Sequence, residues 1–277
     1  MLFEKSFIIQ GHRGARGYLP ENTLQSCCRA IELGADGLEI DVCVTRDKQI
    51  IVSHEPFMSH LICSFPDGKP VDTEGSLFLK NMSVAEIQAF DCGSRGNARF
   101  PTQEPIKCFK PTLYALINGV NGFCEAKKLP VPFWNIEVKS HVQWYGRLVP
   151  TPQIFLKHLA GPLSILPQNR FYVSSFDPFF LRETRRQMPK VPLAFLTERR
   201  ESFPTSCRRL GFLPTIYSPF HKNITTSMVK NAHARGVKIM TWTVNDRVEA
   251  ARLRRIKVDG IITDFPDLDS NFTSMSM

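Results

Sequence analysis

Two histidines, three carboxylates and two cations make up the chemical capacity of this chain, and each lies beside a short apolar run. His12 and Arg13 sit in Gln10-Gly11-His12-Arg13-Gly14-Ala15-Arg16-Gly17, directly after the apolar stretch 6–9. Glu39 and Asp41 alternate with Leu38, Ile40 and Val42. His54 follows the apolar stretch 49–53, and Glu137 and Lys139 lie at the end of 131–138. Carboxylates gathered in one pocket repel and raise one another's pKa, a conflict that a bound cation removes. Oxygen donors with no cysteine among them favour a hard ion, Mg²⁺ or Ca²⁺, over zinc. Two histidines can act as acid and base near neutral pH. Arg13 and Lys139 offer positive charge to the non-bridging oxygens of a phosphate. A metal, two cations and two histidines together suit phosphodiester cleavage, in which charge develops on oxygen while protons move.

Taken singly, each feature has a plainer reading. A lone strand-end histidine is more often structural, and Glu39 and Asp41 could be a solvated strand face. Glu137 and Lys139 could be a same-face ion pair worth about 0–1 kcal/mol. Only their joint occurrence at strand ends points to a site.

The elements that must position these groups follow from periodicity. Strand patterns occupy 6–9, 37–42, 49–53, 131–138, 171–174, 192–196, 215–218, 237–244 and 260–263. In a strand alternate side chains share a face, so Glu39 and Asp41 point together, as do Asn135, Glu137 and Lys139. Asn22 or Thr23 can cap a first helix whose apolar stripe is Leu24, Cys27, Cys28 and Ile31, and Gly34 ends it. Ser83 and Glu86 form a capping box, and Thr112 caps a helix with the stripe Leu113, Leu116, Ile117 and Val120. The mostly β-then-α order implies a parallel sheet. Eight strands would close a barrel, with reacting groups at the C-terminal strand ends. One of the nine candidates must then be accessory, and 192–196 and 215–218 are the weakest. Residues 56–110 break the pattern and read as an inserted excursion, too poor in apolar residues for a core of its own.

Composition is consistent with a globular chain: 277 residues, 43% hydrophobic and 22% charged. The net charge of +9 is spread over helices and mixed with acids, so a solvated basic surface explains it better than a binding patch, and no nucleic-acid motif occurs. The eight cysteines form no Cys-x-x-Cys pair, and Cys27 and Cys28 are too close on one helix to bridge. They read as reduced thiols that pack as small hydrophobes. The first residues lack a signal-peptide pattern and no run is long enough to span a bilayer, so a soluble cytoplasmic protein without a membrane anchor is expected.

The motifs then fall into a familiar series. His12-Arg13-Gly14, Pro20-Glu21-Asn22-Thr23, Gly37-Leu38-Glu39-Ile40-Asp41-Val42 and Val52-Ser53-His54 follow one another as in the glycerophosphodiester phosphodiesterase family. Asn135-Ile136-Glu137-Val138-Lys139 resembles its next element. Thr241-Trp242-Thr243-Val244-Asn245 and Asp259-Gly260-Ile261-Ile262-Thr263-Asp264-Phe265-Pro266 resemble its closing segments. The resemblance runs from about residue 6 to 267. Two departures are Glu55 after His54, where the family usually has Asp, and Asp47-Lys48 in place of the common Asp-Gly.

This resemblance implies a single TIM-type (β/α)₈ barrel over 1–277, of the phosphatidylinositol-phospholipase-C-like type, with a small substrate-side subdomain at 56–110 after the third strand. It implies Glu39, Asp41 and Glu137 as ligands of a divalent metal, His12 and His54 as an acid/base pair, and Arg13 and Lys139 as phosphate contacts. Trp242 would line the pocket or pack in the core. The implied reaction is metal-dependent hydrolysis of a small-molecule glycerophosphodiester to sn-glycerol 3-phosphate and an alcohol. Two other readings remain open. Phe57, Met58, Leu61, Ile62, Phe65, Leu77 and Phe78 could form an acyl groove for a lysophospholipase D, and a non-catalytic barrel could bind phosphodiesters without cleaving them.

Overall fold

The computed structural model describes residues 5–71 and 77–269. Nine strands lie in one sheet: β1 (Ile8–His12), β2 (Gly37–Val44), β3 (Ile50–Val52), β4 (Phe133–Val138), β5 (Phe171–Ser175), β6 (Leu193–Thr197), β7 (Ile216–Pro219), β8 (Lys238–Thr241) and β9 (Gly260–Thr263). All but β3 are parallel, and pairing of β1 with both β2 and β9 closes them into an eight-stranded barrel. Helices α1 (Leu24–Glu32), α3 (Leu113–Lys127), α4 (Pro152–Leu163), α5 (Pro178–Gln187), α6 (Phe203–Leu210), α7 (Thr226–His233) and α8 (Arg247–Arg255) follow the barrel strands, and a short α2 (Val84–Gln88) lies in the 56–110 segment. The protein is therefore a (β/α)₈ barrel.

The accessory strand is not one of the two suspected. Residues 192–196 and 215–218 belong to β6 and β7, both paired on each side within the barrel. The accessory strand is β3, which pairs antiparallel with the end of β2 (Val42 with Val52, Val44 with Ile50). Periodicity marks all three runs as buried strands but does not encode direction. Here the short turn at 45–49 forces the chain to double back on β2.

Inside and outside of the barrel follow the alternation. Leu38, Ile40, Val42, Ile136 and Val138 face the helices and join the main core. Ile8, Phe133, Tyr172, Ala194, Ile216, Met240 and Ile262 meet in a separate cluster that closes the lumen from below. Above it lies a polar layer: Tyr172 Oη donates to Gln10 Oε1 (2.9 Å), Asn135 Nδ2 donates to the same oxygen (3.3 Å), and Ser174 Oγ donates to Asn135 Oδ1 (2.6 Å). Buried polar groups need such partners. This layer separates the apolar plug from the charged end of the barrel.

The helix caps are those the sequence signals. Thr23 caps α1, Thr112 caps α3, and Ser83 with Glu86 forms a complete capping box on α2. Residues 56–110 contain more core than expected from their composition. Met58, Ile62, Cys63, Val71, Leu79, Ile87, Phe90 and Cys92 pack with Cys43 and Ile51 beneath them, and Phe65 and Leu77 lean on this cluster. Of the apolar side chains that could have lined an acyl groove, Met58 and Ile62 are buried in this cluster, Phe57, Phe65, Leu77 and Phe78 are partly buried, and Leu61 is well exposed.

Candidate active site

Strand register brings the carboxylates together. Asp41 on β2 lies beside Glu137 on β4, and Glu39 lies beside both Asn135 and His12. Neighbouring residues of parallel strands point to the same face, so all of these side chains enter the lumen at its C-terminal end. Glu39, Asp41 and Glu137 each offer an oxygen within 4.8 Å of the others, and all three are buried. Glu39 Oε1 has no hydrogen-bond partner, although Oε2 accepts from the Arg13 backbone N–H at 3.0 Å. A buried carboxylate oxygen left unpaired among two other carboxylates is costly. A hard divalent cation held by these three residues would satisfy it, so the residues present fit such an ion.

His54 reaches this centre by a different route from His12. His12 is carried by the end of β1, whereas β2 runs past the site and β3 returns towards it. The Ser53 N–H then donates to Asp41 O (2.9 Å), which sets His54 over the carboxylates. His12, His54, Arg13, Arg16, Glu39, Glu137, Lys139 and Trp242 all line one cavity of about 240 Å³.

Each histidine is backed by a carboxylate. His12 Nδ1 lies 2.7 Å from Asp264 Oδ1, and its Nε2 points towards Glu39 Oε2 at 3.8 Å. His54 Nδ1 lies 2.7 Å from Glu55 Oε1. A carboxylate only accepts, so each Nδ1 carries a hydrogen and Nε2 is the ring nitrogen left for the cavity. Burial, then the nearby Arg16 charge, lowers the His12 pKa to about 4 despite Asp264. Asp264 is itself held well below the carboxylate range: burial opposes this, but the hydrogen bond to His12 and the charges of His12 and Arg16 prevail. Glu55 is lowered to about 2 by its bond to His54 and by the charges of His54 and Lys110, again against burial.

The cations are already paired in the protein. Arg13 Nη1 donates to Glu21 Oε1 (2.7 Å) and Nε lies 3.2 Å from Asp41 Oδ2. Lys139 Nζ bridges Asp41 Oδ1 (3.1 Å) and Glu137. Burial disfavours both charges, but the surrounding carboxylates more than compensate and both pKa values rise. Lys139 and Arg13 also hold Asp41 well below its usual range, whereas burial, Asp41 and Glu137 push Glu39 well above. Trp242 is half-buried at the cavity wall, its indole N–H on Ser218 O (2.9 Å) and its ring edge-on to Phe176.

Three residues with direct roles in this geometry, Asp264, Arg16 and Asn245, were given no role by the sequence, whereas Asn22 was read as a helix cap or a support of the site and Glu55 only as a departure from the family pattern. Asp264 aligns His12. Arg16 binds Asp264 through Nε (2.8 Å) and Nη2 (3.2 Å), and Asn245 Nδ2 donates to its second oxygen (2.6 Å). Glu55 holds His54. Asn22 does not cap the helix: Thr23 does, and Asn22 instead donates to Asp41 Oδ2 (2.9 Å) and accepts from the Asp41 N–H (3.2 Å). Asn22 and Arg13 both adopt left-handed backbone, at φ 59° and 54°, and such strain in non-glycine residues gathers at functional sites. The available signal was the position of these residues within the quoted motifs, since no local pattern pairs residues 12 and 264.

Residues 12–268 match the model of the glycerophosphoryl diester phosphodiesterase family. A glycerophosphodiester phosphodiesterase from Caldanaerobacter subterraneus subsp. tengcongensis is 29% identical over 262 residues, covering 94% of this chain and 95% of the relative. A crystal structure from Silicibacter pomeroyi, provisionally named a glycerophosphoryl diester phosphodiesterase, superposes with a TM-score of 0.86 at 27% identity, covering 99% of this chain and 95% of that one. An Oleispira antarctica phosphodiesterase, solved with its product sn-glycerol-3-phosphate, shares the fold with a TM-score of 0.75 at 22% identity over 96% of each chain. With the closed barrel and the family match spanning nearly its whole length, this chain belongs to the glycerophosphoryl diester phosphodiesterase family and is a phosphoric diester hydrolase.

Proposed function

We propose that the protein hydrolyses small glycerophosphodiesters to sn-glycerol 3-phosphate and an alcohol, using a divalent metal and two histidines. The carrying observation is the convergence of Glu39, Asp41 and Glu137 within 4.8 Å of one another, with Glu39 and Glu137 lining the same cavity as His12 and His54. Mg²⁺ or Ca²⁺ held by the three carboxylates would stabilise charge developing on the phosphate. Arg13 and Lys139, on the same side, face the non-bridging oxygens. His12 is the deeper ring, with 12% of its side chain exposed against 32% for His54. His12 Nε2 therefore takes the proton of the attacking oxygen, which is water or the substrate's own glycerol 2-hydroxyl. His54, at the solvent side, protonates the departing alcohol. The 56–110 segment forms the substrate-side rim, and its Arg99 reaches the cavity mouth. The product complex of the Oleispira antarctica relative supports glycerol phosphate as the retained half.

An acyl-chain substrate is less well supported, because Met58 and Ile62 are buried in the cluster below the rim. The test is a panel of glycerophosphodiesters and lysophosphatidylcholine, assayed after chelation and after return of Mg²⁺ or Ca²⁺. His12→Ala and His54→Ala are each expected to lose about 10²–10⁴-fold in turnover. Near-normal rates in both variants, or full activity in chelator, would refute the mechanism.

A further inference from the structure

Two cysteines outside the hydrolytic site face each other at the root of the 56–110 segment. Ser64 and Asp91 form an isolated antiparallel bridge with both backbone hydrogen bonds made, Ser64 N to Asp91 O at 2.7 Å and Asp91 N to Ser64 O at 3.1 Å. The adjacent rung places Cys63 opposite Cys92 without mutual backbone bonds. Their N–H groups turn away to Ser59 O and Cys108 O. Non-hydrogen-bonded pairs of this kind hold their Cα atoms about 4.5 Å apart. That separation falls within the roughly 4.4–6.8 Å that a disulfide spans. The two sulfurs are 3.0 Å apart, and both side chains are buried.

We propose that Cys63 and Cys92 form a redox modification site, at which a peroxide converts the two thiols into a disulfide that staples the root of the substrate-side rim. The Cys63 thiolate attacks a peroxide oxygen; the O–O bond breaks and the departing hydroxide takes a proton to become water. The Cys92 sulfur then displaces hydroxide from the Cys63 sulfenic acid; the S–O bond breaks, the S–S bond forms, and the departing hydroxide takes the Cys92 thiol proton and leaves as a second water. Two thiols thereby lose two electrons and two protons, and one peroxide becomes two waters. The surroundings favour this order. Contact with the Cys92 thiol lowers Cys63 to about 7 against the effect of burial, helped by the buried Lys110 charge, whereas Cys92 is raised. The neighbouring Cys43 and Cys108 are pushed up to about 12 by burial and remain thiols.

The staple would act on the cavity mouth through the chain that follows Cys92. Arg95 Nη1 donates to Cys63 O (3.2 Å), and Arg99 lines the cavity. Gln103 Nε2 donates to Arg16 O (2.7 Å), and Arg16 grips Asp264. The site is independent of the hydrolytic mechanism and is tested on the wild-type protein. Purified protein is treated with hydrogen peroxide or dithiothreitol, denatured, alkylated, digested and analysed by mass spectrometry. The expected product is a Cys63–Cys92 linked peptide about 2 Da lighter than its two reduced parts, reversed by dithiothreitol. The oxidised protein melts several degrees above the reduced one, and this difference disappears in both Cys63→Ser and Cys92→Ser. Recovery of both thiols as alkylated peptides after peroxide, or a Cys92–Cys108 link instead, overturns the proposal.

Discussion

His12 and Asp264 are 252 positions apart in sequence, yet His12 Nδ1 and Asp264 Oδ1 lie 2.7 Å apart at the seam where β1 and β9 close the barrel. The carboxylate is buried, accepts from Arg16 and Asn245 as well, and faces only the Nδ1 side of the ring. It therefore sets both the tautomer and the orientation of His12, leaving Nε2 for the cavity.

Asp264→Asn should remove that control, because an amide can present an N–H to Nδ1 and stabilise the opposite tautomer. Turnover is expected to fall by about 10²–10⁴-fold, in line with loss of the carboxylate from other histidine–carboxylate pairs. Steady-state hydrolysis of glycerophosphocholine, with circular dichroism to confirm folding, measures the effect. A loss below threefold would show that Asp264 is structural only.

Glu39→Gln should abolish metal-induced stabilisation. In chelated wild-type protein, Mg²⁺ or Ca²⁺ at about 100 times its Kd should add about 2.7 kcal/mol of stability. For a chain of this size that is a rise of several degrees in Tm. The variant keeps an acceptor for the Arg13 N–H but loses one negative charge and the unpaired Oε1. Differential scanning calorimetry with and without the ion gives the comparison, and an equal rise in the variant would remove Glu39 from the ligand set.

Glu55 predicts an acid-side loss of stability. Its folded pKa, about 2, is below the ordinary value of 4.5. A depressed carboxylate contributes stability that is present above its unfolded pKa and is lost as pH falls through the folded value. The window is therefore pH 5 down to about 2. Its side chain is 27% exposed, so a contribution of about 1–2 kcal/mol is expected after allowance for solvent screening. Urea unfolding of wild type and Glu55→Gln should differ by that amount at pH 6, by less at pH 3, and converge as pH falls through about 2. A gap independent of pH would contradict the assignment.

Gly14→Ala should destabilise the loop that carries His12 and Arg13. Gly14 has φ +86°, and an added Cβ would lie 2.5 Å from Ser26 Oγ and 2.6 Å from the Ser26 carbonyl carbon. Both the left-handed backbone and the contact with α1 oppose a side chain. A loss of about 2–4 kcal/mol is expected in denaturant unfolding. A change below 0.5 kcal/mol would mean that the loop relaxes freely.

Much of this protein is local information. Alternation at 37–42 shows that Glu39 and Asp41 share a face, and the same pattern assigns Glu137 to the lumen. Caps at Thr23, Ser83 and Thr112 are written in residues three positions apart. Because these features depend on backbone periodicity and on hydrogen bonds within a turn, the sequence by itself determined the strands, the capped helices and the identities of the groups that converge. Strand direction and partnership depend on contacts between distant segments, so only the tertiary structure decided that β3 turns back to deliver His54 while β6 and β7 complete the barrel. It also decided that Asn22 holds Asp41 rather than a helix end, that Met58 and Ile62 pack inward, and that Asp264 meets His12. Each of those outcomes requires barrel closure or long-range packing, which bring together residues that no periodic pattern relates.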